Sequence, residues 1–183
     1  INKLQHNTPY KIILKSGIKN VVGTELGSDL VIEFVTDTNN YIAGVMVDDF
    51  EAIAGWKTPS YSGSTSGIDV AKTTFTISSE EKVSGQSSGK LAITFSNPQG
   101  GLCREFCSDR PPIGSNPEHK FGMWVHGSLG MNALEFWFYY NTSSNVIVPI
   151  GTVDWTGWRY IEIPISNIAG TGERLFHSIV VKQ

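Results

Sequence analysis

The sequence predicts an all-β protein, and three observations carry the prediction. Residues 121–165 fall into four runs rich in aromatic and β-branched residues, FGMWVHGS, NALEFWFYY, NVIVPIG and DWTGWRYIEIPI, with no helical period among them. Turn residues separate the runs at Gly127 to Asn132, Asn141 to Asn145 and Gly151 to Asp154. From residue 48 onward, strand-like segments recur at the 8–12-residue spacing typical of a sandwich or barrel.

Composition limits the class further. The chain has 183 residues, enough for one domain with a sizeable core or for one domain and a fragment. Its net charge is −3, so it carries no basic footprint for nucleic acid. Only 17% of residues are charged, while Gly, Ser, Thr and Asn are plentiful, a balance common in secreted all-β proteins. No apolar run reaches the ~18 residues of a membrane span. The chain starts in mid-pattern without an initiator Met or signal peptide, so a piece of a longer secreted protein is expected.

In chain order, Tyr10 to Lys15 and Leu30 to Thr36 read as strands around the turn Ser16 to Asn20. Asp37 to Asn40 is a polar break and the expected boundary between residues 1–40 and 41–183. Tyr41 to Val47 is a short apolar run leading into Asp48-Asp49-Phe50-Glu51. Further strands are expected over Val70 to Ser78, Lys90 to Ser96, Leu102 to Ser108 and Leu175 to Val181. Asp109 to His119 holds three prolines and is excluded as a central strand. The resulting eight to nine strands after residue 48 suit a jelly roll.

Cys103 and Cys107 lie four apart. On a strand they face the same way at roughly 13 Å, given ~3.3 Å per residue, beyond the ~7 Å a disulfide spans. Two buried free thiols are expected.

Two stretches resemble known families. "TPYKIILKSGIKNVVGTEL…VIEFVTD" is similar to the last half of a bacterial Ig-like domain, although the same strands also read as the first strands of a single jelly roll. Half a sandwich cannot close its own core, so these strands would need a missing half, the following module or another chain. Residues 48–183, through "DDFE…GW", "EKVSGQSSGKLAITFS", "FGMWVHGS" and "VDWTGWRYIEIPI", resemble the calcium-bearing β-jelly-roll (galactose-binding-like) carbohydrate-binding modules of bacterial glycoside hydrolases and surface-layer enzymes.

That resemblance implies core roles for Phe50, Trp56, Trp124 and Trp158. It implies a structural calcium near Asp49, Glu51 and Ser84, because calcium takes oxygen ligands from carboxylates and loop carbonyls. The family's Asp on the last strand is missing from Phe176 to Gln183, and Asp48, Asp49 and Glu51 also read as a polar strand edge.

Sugars offer C–H faces for aromatic stacking and hydroxyls for polar partners. Period two sorts Leu134, Phe136, Phe138 and Tyr140 onto a core face, and Glu135, Trp137 and Tyr139 onto the other. Burying both thiols turns Arg104 away from the core, to lie beside Trp137. Trp137, Tyr139, Glu135, Arg104 and Tyr160 are thus the expected carbohydrate-binding residues. His126 and Arg110 read as surface residues.

The expected function is a non-catalytic module that targets a secreted or cell-surface bacterial protein to a β-linked polysaccharide, with neighbouring modules as further partners. The alternative is a structural or adhesive domain of a surface-layer protein with no sugar ligand. A glycoside hydrolase or lyase is the weaker reading. It needs two facing carboxylates, and Glu135 with Glu162 is the only pair that suggests itself. No metalloprotease motif, phosphate loop or meaningful Ser-His-Asp spacing is present.

Overall fold

The computed structural model describes residues 8–36, 44–97, 100–140 and 144–183. The chain divides into two compact units, Ile1–Val45 and Met46–Gln183. The expected boundary at Asp37 to Asn40, the first three residues of the Tyr41 to Val47 run and part of the Asn141 to Asn145 turn lie outside the described residues.

The first unit is an antiparallel ribbon of β1 (Pro9–Leu14) and β2 (Leu30–Val35), with the Tyr10 and Phe34 rings stacked at 6.0 Å across the strands. Asn20 Oδ1 accepts from the Val22 and Thr24 N–H groups and shapes the connection. Ile12, Ile13, Val31 and Ile32 are all exposed, so both sides of the ribbon present aliphatic side chains. A lone two-stranded ribbon is marginal in water for want of a buried face.

The second unit is built on nine strands among the described residues. In order they are β3 (Thr74–Ser78), β4 (Ser88–Ala92), β5 (Leu102–Phe106), β6 (Pro112–Gly114), β7 (Lys120–Ser128), β8 (Ala133–Tyr140), β9 (Ser144–Thr152), β10 (Thr156–Pro164) and β11 (Arg174–Lys182). A five-stranded antiparallel sheet runs β5-β11-β8-β9, with β6 also on β11. Two further ribbons, β10-β7 and β3-β4, lie on its inner face. Phe121 of β7 packs on Phe136, Phe138 and Phe176 of the sheet at 6.0, 5.3 and 5.0 Å between ring centres. Trp56 joins Phe75 of β3 to Phe176 at 5.2 and 6.1 Å. Two β layers thus enclose one aromatic core, to which each buried Phe contributes about 1.5–3 kcal/mol.

The alternation read from the sequence sets this packing. Leu134, Phe136 and Phe138 point inward, as do Cys103 and Cys107, which are buried free thiols. Several local expectations change. The strand expected from Val70 starts at Thr74, because Lys72 and Thr73 donate to the Asp69 carbonyl and turn the chain first. The strand expected over Lys90 to Ser96 leaves its ladder after Ala92, and Ser96 bonds instead to Gly67. The Asp48 to Glu51 segment is a turn. Asp48 and Asp49 side chains accept from the N–H groups two residues on, and Phe50 takes φ 55°. The proline-rich stretch does hold one short strand, β6, which meets only the start of β11.

Candidate functional site

The five sequence-derived sugar residues fall on two opposite outer faces of the sandwich. Glu135, Trp137 and Tyr139 of β8 lie on the outer face of the five-stranded sheet with Arg104 of β5. Tyr160 lies on the outer face of the β10-β7 ribbon.

On the first face, Arg104 sits as the sequence predicted, with its guanidinium 4.9 Å from the Trp137 ring centre. It is held by Ser178 Oγ at 2.8 Å, Ser62 Oγ at 3.3 Å and His177 Nδ1 at 3.0 Å. His177 comes from a β-bulge in β11, where Phe176 faces Phe138 and Ser178 faces Trp137, leaving one extra residue between them. The bulge turns the His177 ring onto Tyr139, stacked at 3.9 Å.

Trp137 is only 8% exposed and Arg104 only 9%. Trp137 Nε1–H donates to Glu135 Oε2 at 2.8 Å, and Lys182 donates to Glu135 Oε1 at 2.6 Å. The ring expected to be an open sugar platform is therefore closed, with Arg104 against its face and Glu135 at its edge. Tyr139 remains half-buried, and Tyr61 lies exposed over Phe106, rings stacked at 5.7 Å.

The second face carries Tyr160, an expected sugar residue, beside Trp124 and Trp158, which the resemblance placed in the core. Trp124 and Tyr160 are each 48% exposed, opposite one another in the ladder, with ring centres 5.1 Å apart. Trp158 is half-buried and meets His126 edge-on at 5.2 Å. Gly122 leaves space for the Tyr160 ring, since a Cβ there would meet its hydroxyl. The period-two pattern of FGMWVHGS contained this arrangement. Phe121 and Val125 face inward, so Trp124 and His126 must face outward.

The Glu135 and Glu162 pair does not face across a cleft. Glu162 is on the β10-β7 outer face, paired with Lys120 at 2.9 Å, while Glu135 is on the opposite side of the sandwich. A groove of about 230 Å³ between β9 and β10, lined by Val148, Ile150, Ile161 and Glu162 among others, contains no aromatic ring.

Asp49 and Glu51, which the resemblance assigns to calcium, accept hydrogen bonds from nearby donors. Glu51 Oε1 accepts from the Gln86 and Ser87 N–H groups at 2.6 and 3.3 Å, and Oε2 from the Ser87 hydroxyl at 3.0 Å. Gly85, at φ 67°, lets the chain wrap this carboxylate. Asp49 accepts from Glu51 N–H and Asp48 from Trp56 Nε1–H. Among the described residues no group of three or more His, Cys, Asp or Glu side chains is placed to hold a metal.

Two buried groups are electrostatically unusual. Glu105 is fully buried on the inner face, neither carboxylate oxygen has a partner among the described residues, and burial pushes its carboxyl up to about 8. Burial, and then Arg104, push His177 down to about 3. No protein-family model, curated protein or solved structure matches this chain.

Proposed function

We propose that residues 46–183 are a non-catalytic carbohydrate-binding module of jelly-roll type. In this reading it tethers a secreted or cell-surface protein to a β-linked polysaccharide. The observation that carries it is the adjacent, half-exposed Trp124 and Tyr160 pair on the β10-β7 outer face. Rings open to solvent and fixed by cross-strand pairing can stack on sugar C–H faces at little ordering cost. Glu162 and Lys120 beside them supply an acceptor and a donor for hydroxyls. Binding through two rings would be weak, on the order of 0.1–1 mM, since association itself is costly.

The test is a pull-down against insoluble and soluble polysaccharides with wild type, Trp124→Ala and Trp137→Ala. Capture by wild type and loss in Trp124→Ala, with the fold intact, supports the module. No capture of any glycan sinks it and favours a structural domain of a surface-layer protein. A specific observation also speaks for that second reading: the β1-β2 ribbon exposes aliphatic side chains on both sides and calls for neighbouring modules.

A further inference from the structure

The sandwich is open along one side. β9 is the last strand of the five-stranded sheet, and among the described residues β10 pairs only with β7. Both layers therefore end there in a strand edge, with the apolar groove of about 230 Å³ between them. Val148 and Ile150 of β9 and Ile161 of β10 line it and are only half-buried against the core. A free edge presents unpaired N–H and C=O groups and invites another strand unless it is blunted.

The two edges are not equal. In β9, Pro149 has no N–H to give, and the ladder with β8 shifts between Leu134 and Glu135, leaving Ile150 as an extra residue. β10 has no proline from Thr156 to Ile163 and keeps an unbroken register with β7. Its two charged side chains do not guard the edge. Glu162 turns back to Lys120 of β7 at 2.9 Å, and Arg159 lies 4.1 Å from the Trp155 ring centre and 3.7 Å from Asp154.

We propose that β10 is a self-association edge, which pairs antiparallel with β10 of a second copy so that the two copies cover both grooves. The strand that fits there carries apolar residues on its inner side, and β10 itself supplies one, with Ile161 and Ile163 facing inward. A two-fold pairing that keeps the outer face continuous sets one residue opposite itself. Of the four central positions of β10, Arg159 and Glu162 at the axis would oppose like charges, which destabilises a cross-strand pair. Tyr160 at the axis would set Ile161 against Arg159 of the second copy. Ile161 at the axis brings the two Ile161 side chains together over the grooves, and that register is the one assigned.

A nine-residue edge and one narrow groove offer less than the ~800 Å² per partner of a standard interface, so the pairing is weak and concentration-dependent. Both Trp124–Tyr160 pairs then lie on one four-stranded face, and a polymer touching both would gain avidity. The pairing itself does not rest on glycan binding.

The test is sedimentation of the whole chain from about 10 µM to about 1 mM, with amide exchange at both ends of that range. Wild type is expected to shift from monomer toward dimer. The β10 amides that do not bond to β7 are expected to exchange about twofold or more slowly at the higher concentration. Ile161→Lys and Ile150→Lys, each checked by melting temperature, are expected to stay monomeric, and Ile77→Lys on β3 to leave the dimer in place. Wild type that remains monomeric throughout overturns the proposal and leaves the edge to a strand of another protein. So does a dimer whose β10 amides are not slowed, a result that stands even if both groove variants fail to fold. A folded Ile161→Lys that still dimerises, with association lost in Ile12→Lys instead, would reassign the contact to the β1-β2 ribbon.

Discussion

Arg104 Nη2 lies 3.0 Å from His177 Nδ1, and Ser178 Oγ closes the triangle at 2.8 Å from both Arg104 Nε and His177 Nδ1. Burial, and then the cation beside it, hold the imidazole neutral, and His177 acts as an acceptor toward Arg104.

This neutral His177 and the buried Glu105 give stability a defined pH profile. The folded value of His177, about 3, is depressed from 6.5, so its contribution is complete above 6.5 and is lost as pH falls toward 3. The folded value of Glu105, about 8, is raised from 4.5, so its contribution is complete below 4.5 and is lost as pH rises toward 8. Between these limits the unfolded chain carries its proton on His177 and the folded chain on Glu105, so the pair adds no slope. Urea titrations should show a plateau over about pH 4.5–6.5 from this pair, with declines on both sides. Glu105→Gln should remove a fall of about 2 kcal/mol between pH 6.5 and 8. An unchanged alkaline slope in that variant would show that Glu105 is ionised in the fold.

The two outward tryptophans should behave oppositely. Trp137→Ala removes a buried ring and leaves Arg104 without its aromatic cover. It should cost about 3 kcal/mol or more by denaturant titration. Trp124→Ala removes a half-exposed ring and should cost under about 1 kcal/mol while abolishing glycan capture. The reverse pattern would place the sugar platform on the five-stranded sheet.

Gly122→Ala tests the platform without removing an aromatic. The added methyl occupies the space of the Tyr160 hydroxyl and must tilt that ring away from its place beside Trp124. Glycan capture should fall at least as far as in Tyr160→Ala, with little change in melting temperature. Capture at the wild-type level would mean that Tyr160 is not part of the surface.

Glu51 is a turn clamp. Its carboxyl is held below its ordinary value, first by the Gln86 N–H and next by the Ser87 hydroxyl. A depressed folded value means its contribution is present above about pH 4.5 and disappears as the carboxylate is protonated at lower pH. Glu51→Ala should lower the melting temperature at pH 7 and lower it less as the pH falls below 4.5. Added calcium should not move it at either pH. A calcium-dependent rise that Glu51→Ala abolishes would show that the turn opens to coordinate an ion.

What could be read in the chain follows how local each feature is. The inward Leu134, Phe136 and Phe138, the outward Trp137, the two unbridged thiols and the meeting of Arg104 with Trp137 all follow from side chains alternating along a strand. That rule needs only neighbouring residues. The same alternation turns Trp124 outward, against the core role that the resemblance implied.

The sequence by itself determined that the chain is all-β and which residues share a strand face. Only the tertiary structure decided which faces stay open. Ser62 reaches Arg104 across 42 positions and His177 reaches it across 73. The extra residue of the β11 bulge shifts the register that brings His177 onto Tyr139. Closure of one aromatic face and exposure of the other thus depend on contacts between distant segments, and alternation along a single strand carries no information about those.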